Sequence, residues 1–222
     1  MKKLFFFDID GTLIDSEKYT IESKIIEGKK YGYDIDEDTV IHTLGMSKEI
    51  SKEYFISKFD DKFPYDELRE MRYEYIKRAL ENKEMQYKKG AIELVNYLKE
   101  NNYKMALVSS SSKKLIDLYI EHLDLFKEFH VVVCGDDVKK GKPNPDSFLL
   151  ACNKLFSIPN NSLVIEDSKN GILASKNAKI KSVFIKDYVD IDEEIKENST
   201  YILNDLSEVI SLLEKHNKKD RK

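Results

Sequence analysis

Four apolar residues, Leu4-Phe5-Phe6-Phe7, run directly into Asp8-Ile9-Asp10-Gly11-Thr12-Leu13, and no other stretch constrains this chain as tightly. A short apolar run bounded by a turn signal reads as a strand buried on both faces, the kind found in parallel sheets. Ligands in open α/β sheets bind beyond the carboxyl ends of such strands. There this chain places two carboxylates two residues apart, then a glycine that lets the backbone turn sharply or approach a ligand closely. Carboxylates so near each other repel unless a proton or cation sits between them. A hard divalent cation such as Mg²⁺ relieves the repulsion, since it takes oxygen ligands from one or two carboxylates and from substrate phosphate. A capped turn is the plainer reading of Asp10-Gly11 alone, but the buried strand before it favours a site. EF-hand loops starting at Asp8 or Asp34 fail, because Leu13 or Thr39 falls where such a loop needs glycine.

Between residues 15 and 82 the apolar spacing lengthens and charges become dense. Asp15 or Ser16 is placed to cap a helix through Ile21, Ile25 and Ile26 to a stop at Gly32. A short helix from Asp36 ends at Gly45, Ser47 caps a helix over 48–59, and a long one over 66–80 carries Leu68, Met71, Tyr75 and Ile76 on one face. Four helical segments without a strand break the alternation of βαβ units. They predict an all-α helical cap domain over residues 15–82, with hinges near Asp15 and Lys83. Residues 1–14 and 83–222 then form the core domain.

From Gly90 the alternation begins, with helices predicted over 91–101, 113–123, 146–156 and 170–177 before strands over 104–109, 130–134, 163–165 and 182–185 respectively, then an edge strand over 201–203 and a last helix over 206–215. The fold class is α/β, a Rossmann-like parallel sheet flanked by helices. Each strand end carries chemistry. Ser109, Ser110 and Ser111 lead into a helix amino terminus suited to phosphate, although serine is also the ordinary cap residue. Lys142 lies between Gly141 and Pro143, which by itself reads as a basic surface turn. Glu166 and Asp167 leave the fourth strand as a second carboxylate pair, of which a helix cap explains only one. Together Asp8, Asp10, Glu166 and Asp167 offer an oxygen-rich cation site, while Lys142 and Ser109 supply charge and a hydroxyl, a set that fits phosphoryl transfer.

The remaining composition excludes more than it selects. Charged residues make up 35% of 222 and the formal net charge is −4, so neither nucleic acid nor an anionic membrane is an expected partner. Met1-Lys2-Lys3 passes to Asp8 too quickly for a signal peptide, and no apolar run reaches the length of a membrane span. Cys134 and Cys152 show no CxxC spacing, and the histidines at 42, 122, 130 and 216 no metal-ligand spacing, so free thiols in a reducing, cytoplasmic setting are expected. The lysine-rich tail over 216–222 reads as a solvated, frayed end. A monomer is expected.

Asp8-Ile9-Asp10-Gly11-Thr12, Ser109 after a buried strand, Lys142-Pro143, and Glu166-Asp167-Ser168 with Gly171 resemble, in order, the four motifs of the haloacid dehalogenase superfamily. The stretches 10–17 and 141–146 are most similar to its β-phosphoglucomutase-like branch, which holds sugar-phosphate phosphatases as well as mutases. The resemblance implies that Asp8 is a nucleophile forming an aspartyl-phosphate and that Asp10 is the general acid and base. It implies Mg²⁺ on the Asp8 carboxylate, the Asp10 main-chain carbonyl and Asp167, with Glu166 nearby, and Ser109 and Lys142 on the phosphoryl oxygens. Substrate contacts are expected from Gly11, Ser110, Ser111 and Lys48, and specificity from residues 44–48, 69–78 and 111–113. The acid pattern disfavours the superfamily's dehalogenases.

The implied function is hydrolysis of a small phosphorylated metabolite, a sugar phosphate foremost. The alternatives are a β-phosphoglucomutase and, further off, a non-catalytic module. Mutases of that branch carry a histidine at the place of Thr20 and an arginine at that of Lys48, and lysine does not replace arginine in bidentate phosphate contact. The module would have lost one of Asp8, Asp10, Lys142 or Asp167, and all four are present.

Overall fold

The computed structural model describes residues 4–219. Strand β1 (Leu4–Phe7) lies in the middle of a six-stranded, wholly parallel sheet of order β3-β2-β1-β4-β5-β6. The other strands are β2 (Lys104–Val108), β3 (Val131–Val133), β4 (Ser162–Glu166), β5 (Lys181–Ile185) and β6 (Tyr201–Leu203). Alternation along the strands sorts side chains into two layers. Phe5, Phe7, Met105, Leu107, Leu163 and Ile165 join one apolar cluster, and Leu4, Phe6, Ala106, Val108 and Val164 join another. Helices α5 (Ala91–Glu100), α6 (Lys113–His122) and α10 (Ser207–Lys219) cover the first face, while α7 (Asp146–Lys154) and α8 (Lys169–Asn177) cover the second. That two-sided cover is why the strands read as continuous apolar runs.

The sequence reading is corrected in detail. Strand β3 is shorter than predicted, Ser162 already belongs to β4, and α9 (Glu193–Asn198), capped by the Asp192 carboxylate at 2.8 Å from the Ile195 amide, was not predicted. Helix α10 runs four residues past Lys215. The end of the predicted frayed tail, residues 220–222, and Met1-Lys2-Lys3 lie outside the described residues.

Between β1 and α5 the chain forms α1 (Glu17–Lys30), α2 (Glu37–His42), α3 (Lys48–Lys58) and α4 (Tyr65–Glu81). They share an apolar cluster of Ile21, Ile35, Val40, Leu44, Phe55, Phe63, Tyr65 and Leu68. Its centre is the Phe55 ring, stacked on Phe63 at 4.9 Å between ring centroids. Helix α4 belongs to two clusters, for Ile76, Ala79 and Leu80 pack with the sheet's larger layer. Its inward face is Leu68, Ile76, Ala79 and Leu80, while Met71 and Tyr75, predicted on that face, are half-buried at its flanks. Ile26, predicted inside α1, is exposed. The buried side of α1 is instead largely polar: Glu17, Thr20, Ser23, Lys24 and Glu27. The entry and exit chains of this segment run side by side, with the Asp15 amide on the Gln86 carbonyl and the Lys88 amide on the Leu13 carbonyl, both at 2.9 Å.

Candidate active site

The Asp8 amide continues the ladder of β1 onto the Ile165 carbonyl at 3.0 Å, and the chain then turns over Ile9–Ile14. Gly11 makes that turn with φ +84°, a region L side chains rarely adopt. A Cβ there would stand 2.2 Å from Asp167 Oδ2, so the glycine is required by the close approach of the two acidic loops.

Lys142 joins the two carboxylate pairs. Its ammonium, 2% exposed, donates to Asp8 Oδ1 at 2.6 Å, Glu166 Oε1 at 2.5 Å and the Val108 carbonyl at 3.0 Å. All three donors are used, as a buried ammonium requires. Burial works against its charge, but Asp8 and Glu166 outweigh burial and raise the pKa. The second Glu166 oxygen accepts from the amide and hydroxyl of Ser168 at 2.9 and 2.8 Å. Asp167 does not cap α8; Ser168 does, and Asp167 accepts from the Thr12 hydroxyl at 2.6 Å.

Asp8, Glu166 and Asp167 are buried and offer oxygens within 4.8 Å of one another. One lysine does not neutralise three acids. Burial, only partly offset by Lys142 and reinforced by Glu166 and Asp10, pushes the Asp8 carboxyl up to about 8, and burial with Glu166 and Asp8 pushes Asp167 well above the carboxylate range. Buried hard oxygen donors with surplus negative charge fit a divalent cation. The Asp10 side chain is not part of this cluster.

Asp10 points instead into a web of donors. Its Oδ1 accepts from Ser16 at 2.7 Å, Tyr119 at 2.6 Å and the Arg72 guanidinium at 3.1 Å, and its Oδ2 from Ser111 at 2.6 Å. Burial alone would raise its pKa, but Arg72, Ser111, Tyr119 and Ser16 together hold it below the usual carboxylate value. Because the Ser16 hydroxyl is committed to Asp10, it makes no cap bond to α1.

Above Asp8 and Asp10 lies a cavity of about 70 Å³, lined from the sheet side by Ser109, Ser110 and Ser111 and from the helical side by Glu17, Thr20, Lys24 and Lys48, by residues 43–46, and by Tyr65, Arg69 and Arg72. Of the residues proposed for substrate contact, Ser110, Ser111 and Lys48 line it. Gly11 does not, nor do Lys142, Glu166 and Asp167, which cluster with Asp8. Ser109 Oγ accepts from the Ser111 amide at 3.0 Å and keeps its own proton to donate. From the 69–78 stretch only Arg69 and Arg72 reach the cavity, and Ser112 and Lys113 do not line it.

The sequence reading gave no site role to Thr12, Ser16, Glu17, Lys24 and Tyr119, and held Arg72 only within the specificity stretch 69–78. A signal existed for two of them, since Glu17, Thr20, Lys24 and Glu27 repeat at helical spacing as a polar stripe. Tyr119 and Arg72 meet Asp10 only through the tertiary fold.

A parallel sheet with an aspartate at the end of its central strand, and a lysine and a second acid pair beside it, defines a phosphoryl-handling α/β hydrolase. Residues 5–185 match the family described as haloacid dehalogenase-like hydrolase. The chain is 30% identical over 178 residues to a phosphorylated carbohydrates phosphatase of Thermotoga maritima, covering 80% of this chain and 82% of that protein. A crystal structure of a hydrolase from Pseudomonas syringae superposes with a TM-score of 0.84 at 23% identity, over 96% of this chain and 99% of that one. The β-phosphoglucomutase of Clostridium difficile superposes with a TM-score of 0.79 at 24% identity, over the whole of both chains. The chain belongs to the haloacid dehalogenase-like hydrolases. It is a phosphatase of the phosphoric monoester hydrolase class.

Proposed function

We propose that this chain is a Mg²⁺-dependent phosphatase that releases phosphate from a small phosphorylated metabolite, a sugar phosphate foremost, through an aspartyl-phosphate on Asp8. The observation that carries this reading is the Lys142 ammonium, buried between Asp8 and Glu166 beside Asp167. It holds one oxygen of the Asp8 carboxylate, and Asp8 itself lines the cavity.

The Asp8 carboxylate attacks phosphorus, a new O–P bond forms, and the bond to the leaving oxygen breaks as Asp10 gives that oxygen a proton. Water then attacks the same phosphorus, its proton passes to Asp10, and Asp8 is freed. Ser109 donates its hydroxyl proton to a phosphoryl oxygen and Lys142 balances charge beside Asp8. A Mg²⁺ held by Asp8, Asp167 and the Asp10 main-chain carbonyl supplies the positive charge that the acidic cluster and the phosphoryl oxygens lack. Arg72 keeps Asp10 ionised in the state described, so Asp10 acts as a base while Arg72 touches it. Opening that contact removes the largest influence holding its pKa down and shifts it towards the acid form. We read residues 15–82 as the cap that makes and breaks this contact, and residues 1–14 and 83–222 as the core. Two buried free cysteines, Cys134 and Cys152, support the cytoplasm as its compartment.

Hydrolysis rather than mutase chemistry is supported by Thr20 and Lys48, which supply neither an imidazole nor a planar guanidinium at those places. The test follows two products in one sample. β-Glucose 1-phosphate with a catalytic amount of its bisphosphate should give phosphate or nothing, and excess chelator should abolish phosphate release from every substrate. Glucose 6-phosphate forming much faster than phosphate would replace this reading with the mutase.

A further inference from the structure

The helical wall of the cavity is built for more than a neutral leaving group. Glu17 is 4% exposed and, among the described residues, its Oε2 has no hydrogen-bond partner. Lys24 is 7% exposed, and among the described residues its ammonium meets the Thr43 hydroxyl at 3.3 Å and the face of Phe55 at 4.8 Å. Arg69 is half-buried and, among the described residues, has no ion-pair partner. All three line the cavity over Asp8.

The charges in this wall do not cancel. Asp10 is matched by Arg72 at 3.1 Å, and Lys48 at the rim shares Asp66 with Lys52, at 2.8 and 2.6 Å. Glu17 and Lys24 sum to zero whether both are charged or a proton has passed between them; burial drives each towards neutrality, and both titrate at about 7. What is left over is the guanidinium of Arg69. An unmatched, partly desolvated cation costs free energy that an anion in the same cavity would recover. The orphaned Glu17 oxygen, in turn, asks for a donor such as a hydroxyl.

From this balance we infer that the preferred substrate is a small phosphomonoester whose leaving group carries a second anionic group, held by Arg69 and Lys24, and a hydroxyl that donates to Glu17. This rests on the phosphatase reading of the site. The anion is a carboxylate or a second phosphate, two sources of one chemistry. Arg69 and Lys24 line the same cavity as Asp8, so the phosphoryl group and the second anion belong to one small molecule.

Three probes separate these features. Glycerol 3-phosphate and 3-phosphoglycerate share three carbons and the middle hydroxyl and differ in one terminal group, alcohol against carboxylate. Glycerol 1,3-bisphosphate keeps the middle hydroxyl and carries the second phosphate. Binding is measured by calorimetry on the Asp8→Asn protein with Mg²⁺, and hydrolysis on the wild type. We expect 3-phosphoglycerate or the bisphosphate to bind at least about tenfold more tightly than glycerol 3-phosphate, about 1.4 kcal/mol. Whichever of the two anionic probes binds more tightly names the source. Arg69→Gln should collapse that ratio, and Lys24→Met should reduce it in the same direction, both through affinity and KM rather than kcat. Equal or weaker binding of both anionic probes overturns the inference, as does a ratio that Arg69→Gln leaves intact. Arg69-dependent binding without hydrolysis of any probe by the wild type would instead overturn the phosphatase reading while the anion subsite stands.

Discussion

At the residue scale the account depends on where each carboxylate sends its charge. Asp8 and Asp10 are two residues apart, yet one lies in a cluster with surplus negative charge and the other in a web of donors. Asp8→Asn should therefore abolish turnover while leaving the fold intact, since it removes the proposed nucleophile and relieves repulsion with Glu166 and Asp167. Steady-state assays and circular dichroism on one preparation check both halves. Thr12 acts through Asp167, whose Oδ1 it fixes at 2.6 Å. Thr12→Val should weaken Mg²⁺ affinity roughly 10- to 100-fold, the usual cost of losing a partner that orients a ligand. Calorimetric titration with Mg²⁺ reads this directly, and unchanged affinity would make the bond merely structural. That Asp8, Lys142, Glu166 and Asp167 come together was legible because strand ends converge at one edge of a parallel sheet; the roles proposed for them rest on the resemblance. The donors to Asp10 were not legible. Tyr119 and Arg72 come from different helices, and no local pattern links either to position 10.

At the scale of elements, β1 was legible because a strand covered on both faces shows no polar alternation. Helix α1 was only half legible. Its periodicity gave a helix, but the buried side carries Glu17, Thr20 and Lys24 because it faces the cavity and not a core. Helix α4 links the two regions: Lys114 of α6 pairs with Glu70 and lies over the Tyr73 ring at 3.9 Å, while Arg72, two residues past Glu70, reaches Asp10. Gly45, with φ +71°, brings the α2–α3 loop against Ser168 so closely that a Cβ would stand 2.3 Å from the serine Cβ. These contacts hold the helical segment over the strand ends. Arg72→Met removes the cation that depresses Asp10, so the Asp10 pKa rises. The acidic limb of the pH–rate profile, set by the base form of Asp10, should then move to higher pH. A limb that stays in place would separate Arg72 from the proton transfer.

For the whole molecule, the acidic cluster links stability to pH and cation together. Asp8 has a folded pKa of about 8 against 3.8 for the free group. Between these values the unfolded chain has released a proton that the folded metal-free protein retains, so stability falls as pH rises through this window. Asp167 shifts in the same direction. A cation that takes the place of those protons offsets the loss, and its benefit grows with pH. Mg²⁺ should therefore raise Tm more at pH 8 than at pH 5, as read by differential scanning calorimetry at fixed ionic strength. An equal rise at both would mean that the cation binds away from Asp8 and Asp167.

The central claim is a covalent bond to the Asp8 carboxylate. Asp10→Asn keeps the nucleophile and loses the group that takes the proton from water, so phosphoenzyme should accumulate as turnover slows by at least about 10²-fold. Acid quench of that variant with substrate and Mg²⁺, followed by peptide mass spectrometry, locates the phosphoryl group. The account predicts a phosphoryl mass increase on the peptide containing Asp8, absent when the chelator is present and absent in Asp8→Asn. Continued phosphate release with no adduct on Asp8, or an adduct on another residue, would contradict it.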